Sequence, residues 1–556
     1  MMRTALVLLS FLLLPYGYLL TADSSAAISF VDIAAQAGIR AEMVCGSPAK
    51  KWIFDANGSG VAVLDYDNDG LLDILIVNGS TIDRLSQILS GNTPPAPKGA
   101  IYLFRNLGNG HFEDVTAKSG LFNPYWGTGA NATDFNNDGY TDILVTTIGV
   151  DLLFRNNGNG TFTEVGKAAG LSQEIQWHTG SAFGDYDNDG KPDLYVAGYV
   201  DIRSLDLRGA PKVCNYRGVP GFCGPLNLKG APDILYHNIG NGTFADVTVR
   251  AKVVDAPARY GFSVVFEDFN QDGKPDIFVA NDSGANYLYL NAGDGTFRES
   301  ALSSGVAFNS NGQSQANMGT AVGDYDNDGN IDLLTTTFSE DYFPLFRQTA
   351  PGIFDEVSAA AGLSAVTVPY LGWACGFTDF DNDGERDLWV ANGHVYPNAD
   401  KLGSTTYLQP FSVFKNRRGH FSEVMLNLPK NSYRGACTGD FRNNGQMDLV
   451  VLPIGGAPLL LSNRTANHNP WIGFRLQGTS SNRDALGTRV RIEACGHLQF
   501  DTVRNGGSYL SRNDPRLHFG LGSCSTVEQA SIIWPSGKRQ VLKNLPINRY
   551  LTLREP

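Results

Sequence analysis

The sequence carries none of the short signatures that most often mark catalysis: no H-E-x-x-H, no G-x-S-x-G and no C-x-x-C. Their absence removes the commonest routes to zinc hydrolysis, serine-nucleophile hydrolysis and dithiol redox chemistry. Positive charge is scarce too. With 43 Lys and Arg against 56 Asp and Glu, the formal net charge is −13, so nucleic acid is not expected as a partner. Long apolar runs are missing except at 5–20, where the stretch is broken by Ser10, Pro15 and Gly17. Such a run, about sixteen residues, is short for a bilayer span of roughly twenty. Lying between Met1-Met2-Arg3 and the small residues near 22–27, it reads as a signal peptide over 1–26. No Cys follows it, so a lipoprotein anchor is not expected, and no transmembrane span is expected after cleavage. The chain is expected to be exported: secreted, periplasmic or at the cell surface.

Cysteine is sparse, and seven of them in an exported chain favour disulfides. Cys214 and Cys223 lie nine apart in a Pro/Gly-rich insertion over about 201–232, which suits a local staple. Cys495 and Cys524 both fall in the C-terminal segment and are expected to pair. Cys375 and Cys437 stand four and three residues before an acidic loop, at neighbouring positions of successive repeats, and could meet. Cys45 is then left over. The eight His are scattered, and His178, His394 and His518 are read as packed or hydrogen-bonded groups.

What the sequence does contain is one acidic phrase seven times, most often D-Y-D-N-D-G-x-x-D, beginning at Asp65, Asp134, Asp185, Asp268, Asp324, Asp379 and Asp440. Carboxylates at alternate positions, a Gly at the bend and a further carboxylate at position nine suit Ca²⁺, which takes six to eight oxygens. An EF-hand would need Glu at position twelve between helices. Position twelve here is Ile76, Val145, Val196, Val279, Thr335, Val390 and Val451, all in strand-like runs, so a β-hairpin metal loop is expected instead.

In the first loop the expected ligands are Asp65, Asp67, Asp69, the carbonyl of Leu71, and Asp73. The second offers Asp134, Asn136, Asp138, Tyr140 and Asp142; the third Asp185, Asp187, Asp189, Lys191 and Asp193. The fourth offers Asp268, Asn270, Asp272, Lys274 and Asp276; the fifth Asp324, Asp326, Asp328, Asn330 and Asp332. The sixth offers Asp379, Asp381, Asp383, Glu385 and Asp387. Asn136 and Asn270 are neutral donors and should weaken affinity modestly. The seventh loop has Arg442 at position three and Asn444 at position five. That Arg is expected to replace the metal by pairing with Asp440 and Asp448, leaving about six occupied Ca²⁺ sites and one empty one. The seven loops hold 24 Asp, so bound Ca²⁺ would bring the chain close to neutral.

Recurrence at intervals of fifty to eighty residues marks a repeat protein. Around Asp185 the repeat reads as four short strands: 180–184, 194–197, 234–238 and, after the turn Gly240-Asn241-Gly242, 244–247. Four strands with N-G hairpin turns describe a propeller blade. The second loop position is aromatic in every copy (Tyr66, Phe135, Tyr186, Phe269, Tyr325, Phe380, Phe441), which suits a wedge between blades. Five residues before each loop stand Gly60, Gly129, Gly180, Ser263, Gly319, Ala374 and Gly435, small enough for strands crowded around an axis. The fourth-strand phrase F-x-[D/E]-V, or a near variant, is missing after the seventh loop but present at Phe30-Val31-Asp32-Ile33. The expected fold is all-β: a seven-bladed β-propeller over 28–465, its last blade closed by the N-terminal strand, followed by a small C-terminal β-rich domain.

On these motifs the units resemble FG-GAP/VCBS repeats, which build the integrin α-subunit propeller and bind Ca²⁺ in D-x-D-x-D-G-x-x-D loops. The segment 467–556 is similar to the ASPIC/UnbV domain through Gly478-Thr479-Ser480-Ser481-Asn482-Arg483, Gly506-Gly507-Ser508-Tyr509-Leu510-Ser511 and Leu517-His518-Phe519-Gly520-Leu521-Gly522. The resemblance implies an exported Ca²⁺-binding propeller. The expected function is a non-enzymatic binding or adhesion scaffold for an extracellular protein or glycan. The alternative is an enzyme acting on an extracellular polysaccharide at the mouth of the channel.

Overall fold

The computed structural model describes residues 27–556 apart from 208 and 227, so the expected signal peptide lies outside the described residues. Each acidic loop reverses the chain because its fourth residue (Asn68 in the first, Gln271 in the fourth) and its Gly at position six take the left-handed backbone. The apolar runs on either side become paired inner strands, buried throughout: Val61–Leu64 and Asp73–Val77 in the first unit. Ile101–Asn106 and Phe112–Asp114 follow as third and fourth strands. The same four-stranded antiparallel unit recurs seven times. Gln176 and Trp177 additionally pair with Gly149 and Ile148, joining the second and third sheets at one end. The seventh sheet is completed from the far end of the chain, with Phe30 opposite Asn463 and Asp32 opposite Leu461.

Three sets of contacts run from each blade to the next and return to the first. The aromatic ring at the second loop position meets the fourth-strand Phe of the following blade: Tyr66–Phe162, Phe135–Phe244, Tyr186–Phe297, Phe269–Phe354, Tyr325–Phe421, Phe380–Phe30 and Phe441–Phe112, with centroids 5.1–6.1 Å apart. A third-strand amide donates backwards to the carbonyl of that same aromatic residue: Asn106 to Phe441, Asn156 to Tyr66, Asn238 to Phe135, Asn291 to Tyr186, Gln348 to Phe269, Asn416 to Tyr325 and Asn463 to Phe380. At the loop tips the position-four amide donates forward. Asn68 reaches Gly139 O, Asn137 reaches Gly190 O, Asn188 reaches Gly273 O, Asn327 reaches Gly384 O, Asn382 reaches Gly445 O and Asn443 reaches Gly70 O, at 2.8–3.1 Å. Gln271 bonds Asn330 Oδ1 instead, at 3.0 Å.

Crowding of the inner strands shows in the glycines. A Cβ on Gly180 would lie 2.1 Å from Phe262 O, and one on Gly60 only 1.6 Å from Leu510 O. Leu510 belongs to the C-terminal part, which packs two small sheets face to face. One holds Trp471–Gln477 between Leu517–Gly520 and Tyr550–Arg554; the other orders His497–Thr502, Arg489–Ala494, Val527–Ile533 and Arg539–Leu545.

Both expected local disulfides form: Cys214–Cys223 (Cα–Cα 5.0 Å) and Cys495–Cys524 (5.9 Å). The pairing of Cys375 with Cys437 does not. Both are free and buried. Their positions differ by one residue relative to the loop, and side chains along a strand alternate between the two sheet faces. Cys375 therefore packs with Leu334 and Leu345 of the fifth blade, whereas Cys437 packs with Val63 and Ile74 of the first.

If the N-terminal strand closes the ring as an equal partner, Phe30→Ala and Phe112→Ala should destabilise similarly, by about 3–5 kcal/mol. The exposed Leu302→Ala should change stability by no more than about 0.5 kcal/mol. Denaturant unfolding checks this, and a Phe30 effect at the control level would contradict the closure.

Candidate metal loops and the filled channel

Within each loop the carboxylates divide into two kinds. The position-nine aspartate is buried and accepts a backbone amide from the third strand in all seven loops, and a second amide from position two in the first six. Asp73 accepts from Tyr66 N (3.1 Å) and Asn106 N (2.8 Å), and Asp142 from Phe135 N (3.2 Å) and Asn156 N (2.7 Å). The position-one aspartate holds the bend: Asp134 accepts Asp138 N at 3.0 Å and Gly139 N at 2.7 Å. These bonds leave lone pairs facing the loop centre. In the first loop Asp65 Oδ1 and Asp67 Oδ1 are buried without any hydrogen-bond donor, and carboxylate oxygens lacking a donor are what a hard cation would satisfy.

Four loops draw three carboxylates to within 4.8 Å of one another: Asp65, Asp67 and Asp73; Asp185, Asp187 and Asp189; Asp324, Asp326 and Asp332; Asp379, Asp381 and Asp387. The second and fourth do not. There Asn136 and Asn270 turn their amide nitrogens onto Asp138 (2.9 Å) and Asp272 (3.2 Å). In the seventh, Arg442 Nη2 meets Asp448 at 2.9 Å, as expected, but its side chain does not reach the Asp440 carboxylate. Asp440 instead accepts Gly445 N at 2.6 Å and Tyr550 Oη at 3.2 Å.

A third-strand basic residue, unforeseen from the sequence, enters four of the loops from the position just before the ring amide. Arg105 lies 2.6 Å from Asp67, His237 3.0 Å from Asp193, Arg347 2.6 Å from Asp326, and Lys415 2.7 and 2.6 Å from Asp381 and Asp383. A regular Arg/His/Lys-Asn/Gln dipeptide in the third strand was the available signal. These basic groups offset part of the clustered charge. They do not abolish its effect on titration, because burial, followed by neighbouring carboxylates, pushes Asp73 up to about 8 and Asp332 up to about 9; in the second loop, which has no such group, Asp142 also rises to about 9.

The C-terminal part lies on this loop face. Arg475 pairs with Asp65 (3.0 Å) and Arg489 with Asp268 (3.4 Å). Asp484 accepts Asp134 N (3.0 Å), Asn482 reaches Asp185 (3.4 Å), and His518 Nε2 meets Asn382 Oδ1 (2.7 Å). From it, residues 505–512 enter the channel and bond the inner strands around it. Asn505 Oδ1 accepts Phe183 N, Gly507 N donates to Val264 O, Ser508 N to Thr320 O and Arg512 N to Val61 O, while Leu510 O accepts Ala130 N. Ser508 Oγ donates to Ala436 O at 3.2 Å, and the Tyr509 ring stands 4.8 Å from Trp373. Strands from all seven blades are thus touched, and the loop-side mouth is filled.

The opposite end differs. The Cys214–Cys223 hairpin leaves the third blade and crosses to the fifth and sixth, where Arg217 pairs with Glu340 (2.9 Å) and Tyr396 Oη donates to Phe222 O (3.1 Å). It walls a cavity of about 590 Å³ with Tyr199, Phe262, Phe338, Trp373, Asp282 and Asp341 among its lining. Of the histidines, His178 is tied to Asp151 at 2.5 Å, and His394 meets the cavity-lining Ser339 at 3.1 Å.

A ring of four-stranded repeats with acidic hairpin loops on one face defines a class of repeat protein, and the family comparisons match it. FG-GAP-like repeats are found at residues 83–145, 134–196, 227–279 and 268–335, and an ASPIC and UnbV domain at 478–556. The chain thus carries FG-GAP-like repeats and a C-terminal ASPIC and UnbV domain. It is similar to cartilage acidic protein 1 of Mus musculus (26% identity over 57% of this chain and 40% of the relative) and of Homo sapiens (25%, 57% and 39%). The Xenopus tropicalis protein is 25% identical over 61% of this chain and 51% of the relative. The match therefore spans about half or less of those relatives' length. Among solved structures, an Agrocybe aegerita lectin recognising non-reducing terminal N-acetylglucosamine has a TM-score of 0.38 at 14% identity, covering 76% of this chain and 93% of the lectin. BBS1N in complex with ARL6DN scores 0.38 at 12%, covering 80% and 99%.

The raised carboxyls give a signed pH test. In the unfolded chain an Asp titrates near 3.9, so between that value and about 8 to 9 the metal-free folded protein binds more protons than the unfolded chain. Its stability falls as pH rises through that window. A bound divalent cation favours the ionised cluster, so the melting-temperature gain from added Ca²⁺ over EGTA should grow from pH 5 to pH 8. Asp185→Ala with Asp187→Ala should diminish that gain more than Asp440→Ala with Asp448→Ala. A gain that is flat with pH, or equal in both double variants, would contradict the metal loops.

Proposed function

We propose that this chain is an exported Ca²⁺-binding scaffold that binds an extracellular protein or glycan without turning it over. Cation binding at the clustered loops stiffens the hairpins and lies under the C-terminal domain, away from solvent-facing chemistry. Export is supported by the two disulfides, one of which staples the hairpin at the free mouth, and by the likeness to cartilage acidic protein 1. Among the described residues no helix is long and apolar enough to cross a membrane. The observation carrying the binding role is the asymmetry of the ring. One mouth is filled by residues 505–512, while the other keeps a walled cavity of about 590 Å³, within the roughly 300–1,000 Å³ usual for ligand sites.

A second reading has one observation in its favour. Asp282 lines that cavity with its carboxyl pushed up to about 6 by burial, and Glu340 and Asp341 line it too. Paired carboxyl groups of differing acidity serve glycoside hydrolysis. Glu340, however, is engaged by Arg217 (2.9 Å) and Tyr216 (3.3 Å).

Arrays of extracellular proteins and glycans, probed with the mature protein in Ca²⁺ and in EGTA, test the proposal. Retained spots in Ca²⁺ that weaken in EGTA, with spotted polymers left at full length, are expected. Shortening of a polymer would replace binding with hydrolysis.

A further inference from the structure

We propose, resting on the binding reading above, that the hairpin-walled cavity receives a short neutral saccharide. Its floor is aromatic. Tyr199 stacks on Phe262 at 4.3 Å, Phe262 meets Trp373 at 6.2 Å, and Phe338 lies 5.3 Å from His394. Rings of this kind pack against the apolar C–H faces of a sugar as they do against any flat apolar surface.

The polar groups supply both halves of a hydrogen-bonding partner. Acceptors come from Asp282, held by Tyr199 Oη at 2.7 Å and Ser283 Oγ at 2.8 Å, and from Asp341, which accepts Tyr342 N at 2.9 Å. The donor is Ser339. Tyr396 N donates to His394 Nδ1 at 3.0 Å, so the neutral ring carries its proton on Nε2 and gives it to Ser339 Oγ at 3.1 Å. Burial, followed by the nearby Arg434 charge, keeps this imidazole neutral, with its pKa lowered to about 3. The histidine therefore fixes the serine without acting as its base. The hydroxyl hydrogen of Ser339, a cavity-lining residue only 3% exposed, has no acceptor among the described residues.

Charge decides between ligand classes. Arg434 is fully buried beneath the floor, its guanidinium 4.0 Å over the Trp373 ring. It donates to Ala56 O, Gly393 O, Tyr433 O and Ser432 Oγ, and no carboxylate neutralises it among the described residues. That charge opposes a cation on the aromatic floor, and an ammonium would leave the Ser339 hydroxyl hydrogen without an acceptor. The rim carboxylates oppose an anion. A neutral polyhydroxylated ring meets acceptors, donor and apolar surface together.

Titration calorimetry on the mature, Ca²⁺-loaded protein tests this with cellotriose, maltotriose, mannotriose and xylotriose against trigalacturonic acid and the chitosan trimer. At least one neutral trisaccharide should bind about tenfold more tightly than either charged one. Ser339→Ala should weaken it about five- to tenfold, in line with loss of one hydrogen bond. Phe338→Ala should weaken it further, each variant melting within a few degrees of the parent. Asp341→Asn replaces Phe338→Ala if the latter does not fold. No heat from any neutral trisaccharide, or equal binding of the charged ones, overturns the inference. A protein ligand blocked by reducing the hairpin would keep the binding reading while discarding the saccharide. Cleavage of a bound trisaccharide, seen by chromatography, would keep the saccharide and discard the reading without turnover.

Discussion

The fold depends on a carboxylate with no water around it. In each blade the position-nine aspartate is sealed between the inner strand pair and the third strand, accepting amides from the latter and, in most blades, from the loop itself. A buried acid is stable only when its oxygens are bonded, and here those bonds set the register of loop and strand at once. The residue whose amide it holds then passes its own side chain to the previous blade. One local requirement is thereby transmitted around the ring.

Much of this was legible in the residues. The all-β repeat, the aromatic at position two and the supply of the last strand from Phe30 are all present in the structure, because strand periodicity and the acidic phrase are local signals. The fourth loop position does more than turn the chain. An Asn there tolerates the left-handed backbone and also bonds the neighbouring loop, and nothing within one repeat shows the second role. The cysteine pairing failed at the level of strand phase, where one residue of offset sends two side chains to different interfaces. Arg442 shows the same limit. Its partner Asp448 is local, whereas the group that engages Asp440 instead, Tyr550, comes from the distant C-terminal sheet.

The C-terminal part was legible as a separate β unit and not as a filling for the ring. Gly506-Gly507-Ser508-Tyr509 looks like a loop until the inner strands present unpaired backbone groups to it. Its glycines allow close approach; a Cβ on Gly506 would lie 2.4 Å from Val264 O. The likeness to FG-GAP-like repeats and to the ASPIC and UnbV domain names the two parts without describing how they interlock. That junction is a property of the whole chain.

The pairing of Phe30 with Asn463 and the bonding of Arg512 to Val61 have a bearing on how the molecule comes into being. The strand at Phe30–Asp32 waits, unpaired along one edge, until more than four hundred residues have followed it. The axle arrives later still. Contacts so remote in sequence carry a heavy closing entropy and assemble slowly. Partially emerged chains therefore expose strand edges and an open bore, and the ring sets only once its final stretch has emerged.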